Sequence, residues 1–105
     1  MYSIGQVSEK FNLPVSTLRY YDKEGLLPNI ERTSGIRKFS DRDLETLHVI
    51  ECLKKSGLEI KDIRQFIQWC AEGSSTYSKR RELFIKQKEN VEREMERLEK
   101  TRAML

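Results

Sequence analysis

The N-terminal quarter of the chain contains the signals for two short helices separated by a tight break. Ser3 and Gln6 form a capping box, because each side chain can satisfy a free backbone amide at the start of a helix. The first helix breaks at residues 12–14 (Asn-Leu-Pro), and a second helix begins with Pro14 or Val15 near its first position. Two short helices joined in this way form a helix-turn-helix, a motif whose second helix can enter the major groove of DNA.

The second helix has an outward row of polar side chains. At about 100° per residue, Val15, Leu18 and Asp22 share one side of this helix. The residues that point largely outward are therefore Ser16, Thr17, Arg19 and Tyr20. Hydroxyl, guanidinium and phenol groups suit phosphate oxygens and base edges. Residues 10–42 carry seven basic and four acidic side chains, and a locally basic surface is what phosphate contact requires.

Five blocks of sequence between Tyr2 and Leu58 resemble the MerR (mercury-resistance regulator) family of bacterial transcription regulators. In order, with family-like spacing, the blocks are YSIGQV, TLRYYD, GLLP, GIRKFS and LKKSGL. The resemblance implies a winged helix-turn-helix domain that binds double-stranded promoter DNA, with Tyr21 as a further DNA contact and no cofactor. The family more often has tyrosines where this chain has Ile36 and Phe39, which lack a hydroxyl for phosphate.

The polar segment 29–39 is expected to form a two-stranded hairpin, the wing. Residues 34–35 (Ser-Gly) are a turn signal, and Arg37 and Lys38 then lie on the return strand. Arg37 is the stronger candidate for a phosphate contact. The alternative is a solvated loop with incidental basic residues.

Two longer helices are predicted after the wing. Ser40 caps the third helix with Asp43 as its acidic partner, and residues 56–57 (Ser-Gly) end it. The fourth helix has an apolar face, but Glu59 replaces the usual small hydroxyl at its cap, so its start should be weaker. Lys61 in its first turn could reach the DNA backbone, and a plain solvated lysine is the alternative.

From Tyr77 onward the chain has the pattern of one continuous helix. An apolar stripe recurs every seven residues at Tyr77, Phe84, Val91, Leu98 and Leu105, and Met95 adds to it. Such a stripe needs a second helix to cover it, and the resemblance implies an antiparallel coiled coil between two copies of the chain. A single solvent-exposed helix is the alternative. We therefore expect an all-α fold with a small β wing: a DNA-binding domain over 1–73 and a dimerisation helix over 77–105.

The two cysteines have different surroundings in the pattern. Cys70 shares the apolar face of the fourth helix with Ile63, which predicts a buried structural thiol. Cys52 lies off the core stripe of the third helix, between His48 and Lys55 one turn away on either side, and both could favour a thiolate. In short relatives that resemble this chain, a cysteine at this place senses electrophiles such as aldehydes. The resemblance thus implies an effector-sensing role for Cys52, with His48 beside it. Packing against a partner chain is the alternative.

Neither a membrane partner nor secretion is expected. No apolar run approaches the length of a membrane span, and the folded pattern begins at Tyr2 with no signal peptide before it. The cysteines do not form a close-spaced framework, which fits a reduced cytoplasmic protein.

The chain offers little for catalysis or for a metal. With one histidine and no glycine-rich phosphate loop, an enzyme is not expected. Glu45, His48 and Cys52 share one flank, but three residues on one helix rarely complete a tetrahedral site, so no metal is expected.

The expected function is that of an effector-switched transcription regulator, a homodimer on an inverted-repeat promoter operator that RNA polymerase also uses. A structural or excisionase-like DNA-binding module without an effector is the alternative.

Overall fold

The structure is a computed structural model and describes all 105 residues. Its elements, in chain order, are β1 (Tyr2–Ser3), α1 (Ile4–Phe11), α2 (Val15–Lys23), β2 (Glu31–Thr33), β3 (Ile36–Phe39), α3 (Asp41–Lys55), α4 (Ile60–Glu72), a 3₁₀ segment (Gly73–Thr76) and α5 (Tyr77–Met104). The chain divides into two compact units, Met1–Cys52 and Leu53–Leu105, and α3 contributes to both. A mostly helical chain with a small sheet is the fold class predicted from the sequence. The division into roles at 73 to 77 stays a prediction.

The predicted capping boxes start α1 and α3. The Gln6 amide donates to Ser3 Oγ at 3.2 Å, and the Ser3 amide donates to Gln6 Oε1 at 2.8 Å. At α3 the Ser40 amide donates to Asp43 Oδ2 at 2.8 Å, and the Asp43 amide donates to Ser40 Oγ at 3.1 Å. At α4 the side chain of Glu59 makes no capping hydrogen bond. The weaker start expected there stays a prediction.

Helix α2 is followed by a glycine in the left-handed backbone conformation, and the next residue is a leucine that enters the core. Gly25 has a φ of 79°, which costs glycine little. Its amide donates to the Asp22 carbonyl, and the Leu26 amide donates to the Tyr21 carbonyl, the hydrogen-bond pair of a Schellman motif. Leu26 is fully buried. The turn therefore fixes both the end of α2 and the direction of the chain towards the wing.

The wing is a hairpin within a three-stranded sheet. β3 pairs antiparallel with β2 on one side and with β1 on the other. Residues 34 and 35 of the two-residue turn have φ values of 52° and 78°, the conformation that a tight hairpin requires. The predicted hairpin is confirmed. The β1 strand was not predicted, and it pairs Tyr2 with Phe39 at the base of the wing.

The core of the first unit joins every helix of that unit to the base of the wing. Phe39 is the wing's contribution and is fully buried. The buried apolar side chains of this unit are Val7, Leu18, Tyr21, Leu26, Leu27, Phe39, Leu44, Leu47 and Ile50. Burying one such side chain is worth about 1.5 to 3 kcal/mol, so this cluster supplies the main force holding α1, α2 and α3 together.

In the second unit, the start of α5 packs against α4 and the end of α3. The rings of Phe66 and Phe84 meet edge to face, with centroids 5.2 Å apart. Gln87 is buried, and its Nε2 donates to Ser56 Oγ at 3.0 Å and to the Ser56 carbonyl at 3.3 Å. A buried amide with both partners in place costs little, so these contacts anchor the first half of α5.

The second half of α5 extends beyond those contacts. The helix has 28 residues, a length of about 42 Å at 1.5 Å per residue. Every residue from 91 to 105 is exposed. Pairs such as Arg97 with Glu94 and Lys100 with Glu96 lie along its exposed surface, where solvent weakens their contribution to stability. The continuous helix predicted from Tyr77 is confirmed.

Candidate nucleic-acid interface

Helix α2 presents its polar row to solvent. Ser16 and Arg19 are exposed, and the ring of Tyr20 is 46 % exposed. Leu18 on the opposite side is fully buried. Thr17 is partly covered, so it is the least accessible member of the row. The row predicted from the helical period therefore lies on the outside of the domain.

Tyr21 lies on the inward face of α2, about 100° around the helix from Tyr20. Its side chain is 1 % exposed, and its hydroxyl donates to Glu51 Oε2 at 2.7 Å. Burial, then this hydrogen bond and the charge of Glu51, raise the pKa of Tyr21, so the hydroxyl stays a donor. The expected DNA contact by Tyr21 does not fit this burial. The reason is that Tyr21 follows the buried Leu18 by three residues and shares its inward face.

One carboxylate joins α2 to both strands of the wing. Arg37 Nε donates to Asp22 Oδ2 at 2.8 Å, and Arg32 Nη2 donates to the same oxygen at 2.9 Å. Burial alone would raise the pKa of Asp22, but the hydrogen bonds and charges of the two arginines outweigh burial and lower it. Asp22 is therefore ionised at neutral pH and bound on its wing side.

A shallow depression opens between α2 and the wing. Its volume is about 440 Å³. We call the surface formed by its lining residues the recognition face. These residues are Ser16, Arg19, Tyr20, Asp22, Lys23, Arg32 and Arg37. Four cations surround the single carboxylate of Asp22. Arg19 and Lys23 make no hydrogen bond or ion pair inside the protein, so their charges are available to a polyanion.

The wing contributes three cations of differing exposure. The side chain of Arg37 is 20 % exposed and that of Arg32 is 52 % exposed, while Lys38 is half-buried. Arg32 was missed by sequence reasoning. The signal was available, because a two-residue turn at 34–35 places Arg32 directly opposite Arg37 in the strand register.

Lys61 belongs to the second unit and has an acidic neighbour. Its Nζ lies 3.7 Å from Glu59 Oε2, and both side chains are 73 % exposed. An exposed pair of this kind is worth little, so Glu59 does not hold Lys61 away from another partner.

Cys52 and His48 are both exposed on α3. The exposure of Cys52 agrees with its predicted position outside the core stripe of α3. The His48 ring packs against Phe11 of α1, with centroids 4.7 Å apart and planes inclined by 48°. No group of three His, Cys, Asp or Glu side chains comes together in a way that could hold a metal ion.

The prediction of a buried thiol at Cys70 is wrong, because Cys70 is exposed. It shares the helical stripe of the buried Ile63, but it lies in the last turns of α4. There the following segment crosses α4 on the side of Trp69. Thr76 Oγ1 donates to the Trp69 carbonyl at 2.5 Å, and Lys79 Nζ lies 5.9 Å from the Trp69 ring centre. The covering segment thus leaves Cys70 outside.

The apolar stripe of α5 is largely exposed in the single chain, and Phe66 covers part of Phe84. The exposed fractions are 61 % for Tyr77, 42 % for Phe84, 38 % for Val91, 62 % for Met95, 52 % for Leu98 and 101 % for Leu105. These side chains form an exposed apolar surface along the helix.

Two family matches together cover nearly the whole chain. Residues 2–69 match the MerR HTH family regulatory protein, and residues 44–105 match the family described as MerR, DNA binding. The chain belongs to the MerR family. The first match contains the whole recognition face and the wing, and the second contains α4 and α5.

Similar MerR-family chains have known sequences and structures. The chain is 43 % identical over 91 residues to an uncharacterized HTH-type transcriptional regulator of Haemophilus influenzae, covering 86 % of this chain and 67 % of that one. It is 31 % identical over 90 residues to the HTH-type transcriptional regulator AdhR of Bacillus subtilis, covering 85 % of this chain and 64 % of AdhR. These matches identify it as a MerR-type transcription regulator that spans about two thirds of these relatives' length.

One structural neighbour was solved with DNA. It is HiNmlR, a MerR family regulator lacking the sensor domain, bound to promoter DNA. HiNmlR has a TM-score of 0.92 and 38 % identity to this chain, and the match covers 98 % of this chain and 82 % of HiNmlR. A MerR-family regulator from Bacillus thuringiensis gives a TM-score of 0.89 at 41 % identity, over 98 % of this chain and 91 % of that one. None of the helices here combines the length and apolarity that a membrane span needs.

Proposed function

We propose that this MerR-family chain binds an inverted-repeat promoter operator as a homodimer and switches transcription by distorting the DNA. The observation that carries the proposal is the recognition face, where four cations and the exposed Tyr20 surround a depression between α2 and the wing. Its similarity to HiNmlR, which was solved on promoter DNA, supports the same kind of partner. The site of action is then the bacterial cytoplasm, where promoter DNA lies.

In this proposal α2 reads bases and the wing holds the DNA backbone. Arg19 and Tyr20 face the major groove, since both are exposed on the outer side of α2. Ser16 and Thr17 supply hydroxyls to phosphates at its N-terminal end. The remaining phosphate contacts come from Arg37, Lys38 and Lys61. Tyr21 is excluded, because its burial and its hydrogen bond to Glu51 leave nothing to offer DNA.

The proposed dimer forms through the apolar stripe of α5. An antiparallel pairing of two α5 helices would cover the side chains that the single chain leaves exposed. Two-fold symmetry would then present two recognition faces to one duplex, which is why the operator is proposed to be an inverted repeat.

The proposed switch acts on the dimer and on the promoter that RNA polymerase uses. Bending and untwisting DNA of this length costs on the order of several kcal/mol. An effector must favour one of two dimer conformations by a comparable free energy, or it cannot change the balance between them. The regulator acts by this shift in population and needs no catalytic step.

Cys52 is the proposed point of entry for an electrophilic effector. Its thiol is exposed, so a small aldehyde can reach it. The sulfur would bond to the carbonyl carbon while the thiol proton passes to the carbonyl oxygen, giving a hemithioacetal. This addition places a new polar group one turn from His48. His48 in turn packs on Phe11 of the helix-turn-helix.

The proposed function can be tested by selecting genomic DNA fragments with the purified protein and sequencing them. The fragments should come from promoters and share one inverted-repeat sequence, with half-sites about one helical turn apart. Recovery of fragments in proportion to their abundance, without a shared sequence, would contradict sequence-specific regulation and favour a structural DNA-binding module.

A further inference from the structure

Asp22 stands at an unexpected place for a surface that binds DNA. Its carboxylate lies in the recognition face, where a negative charge repels phosphate. By charge alone, Asp22 weakens every complex with DNA. If Asp22 nevertheless favours DNA binding, it must do so through the side chains that its carboxylate holds in place.

The carboxylate holds the two opposing strands of the wing against α2. Arg32 on β2 and Arg37 on β3 face each other in the strand register, and both donate to Asp22 Oδ2. Each strand of the hairpin is therefore tied to the same atom of α2. Because Asp22 is on the helix that carries Arg19 and Tyr20, the tie sets the distance between the wing and the base-reading side chains.

Apolar packing does not fix this part of the wing. Residues 31–33 of β2 are all exposed, and Ile36 at the start of β3 is 59 % exposed. The buried anchor of the hairpin is Phe39, at its base. The ion pairs with Asp22 therefore act where burial does not restrain the hairpin.

The arginine geometry leaves donors free for DNA. Arg37 binds Asp22 through Nε, and its Nη groups make no hydrogen bond within the protein. Arg32 uses Nη2 and remains half exposed. A guanidinium has five N–H donors, so each arginine can bind Asp22 on one edge and a phosphate on another.

We propose that Asp22 is a positioning residue for sequence recognition: it orients Arg32 and Arg37 so that both meet phosphates in register with the bases read by α2. The inference rests on the proposed function and adds Arg32 to its phosphate contacts. The lowered pKa of Asp22 keeps the carboxylate charged at the pH of the cell, as the two pairs require.

The test is the substitution Asp22→Asn, measured as affinity for the selected operator and for a scrambled duplex of equal length. Repulsion alone predicts that removing the charge tightens binding to both duplexes. Positioning predicts the opposite sign for the operator. Operator affinity should fall about tenfold, as expected for losing interactions near 1.4 kcal/mol. Scrambled-duplex affinity should rise about twofold, because one repulsive charge is gone.

Glu31→Gln is the matched control. Glu31 is an exposed wing carboxylate whose side chain makes no hydrogen bond or ion pair, so its loss removes the same charge without releasing an arginine. Both duplexes should then bind slightly more tightly, with the ratio between them unchanged. Asp22→Glu keeps the carboxylate and should restore part of the ratio lost in Asp22→Asn.

The outcomes separate the inference from the function on which it rests. If Asp22→Asn kept the operator-to-scrambled ratio of the wild type, as Glu31→Gln should, the positioning role would be wrong. Equal loss of binding to both duplexes would also contradict it, because a positioning residue should weaken binding to the operator and not to the scrambled duplex. A wild-type protein that binds both duplexes equally would overturn the proposed function itself.

Discussion

Three consecutive residues of α2 meet three different environments. Tyr20 is exposed on the recognition face, Tyr21 is buried with its hydroxyl on Glu51, and Asp22 holds the arginines of the wing. We therefore assign reading, packing and positioning to neighbours in sequence. What a substitution does in this segment depends on the direction of the side chain more than on its chemical type.

Cys52→Ser should uncouple sensing from DNA binding. Serine keeps the size and exposure of the residue but is a far weaker nucleophile than cysteine, so the adduct should not form. The variant should bind the operator within about twofold of the wild-type affinity, because exposed substitutions usually change the free energy by less than about 0.5 kcal/mol. In cells exposed to an aldehyde, a reporter driven by the operator promoter should stop responding.

Cys70→Ser is the control for that experiment. Cys70 is equally exposed, so its replacement should leave both stability and response close to those of the wild type. A Cys52→Ser strain that responds normally would exclude Cys52 as the sensor, and loss of response in Cys70→Ser alone would assign sensing to α4.

The sequence predicts local features well because their causes are local. Both capping boxes, the hairpin turn and the end of α3 depend on residues close to each other in sequence. The DNA contact of Tyr21 was implied by the family resemblance and not by the helical period, which places Tyr21 beside the buried Leu18. Cys70 was placed wrongly because burial depends on what lies across the helix. The helical period alone does not tell which flank of a stripe a neighbouring element covers. Likewise, the convergence of Arg32 and Arg37 on Asp22 needs the strand register and the position of α2 together.

At the scale of elements, α5 has two halves with different roles. Phe84 and Gln87 tie its first half to Phe66 and Ser56 within the same unit. The residues of its second half, 91–105, are all exposed. An exposed helix of this length is marginal in water without a partner, so the apolar stripe is the surface on which we expect a second copy to pack.

Val91→Asp combined with Leu98→Asp should give monomers. Each substitution places a charge in the proposed seam, and a dimer would bury four of them. Charges buried without partners cost several kcal/mol in total, enough to weaken dimerisation by at least about a hundredfold. Sedimentation equilibrium measures the change directly.

Arg93→Asp with Lys100→Asp serves as the matched control for the seam. These residues follow Val91 and Leu98 by two positions, which puts them on the other side of the helix. They receive the same side chains and a larger change of charge, yet the dimer should persist. If the Val91 and Leu98 variant sedimented as an intact dimer, the apolar stripe would not be the seam.

In the whole molecule, the two-fold symmetry of the proposed dimer matches the symmetry of an inverted-repeat operator. Two recognition faces related by a two-fold axis need two half-sites in inverted orientation. Each mismatched base pair in such a site costs about 1 to 3 kcal/mol, so losing a whole half-site should have a large effect. The ion pairs of Asp22 and the apolar stripe of α5 would then both affect how well two recognition faces fit a single duplex.

The most direct measurement is the stoichiometry and affinity of the protein on the selected operator, compared with the same duplex carrying one scrambled half-site. We expect two chains on the intact operator, by native mass spectrometry or sedimentation. Binding should be at least about a hundredfold weaker when one half-site is scrambled. A single chain per duplex, binding both DNAs with equal affinity, would contradict the proposed homodimer on an inverted repeat.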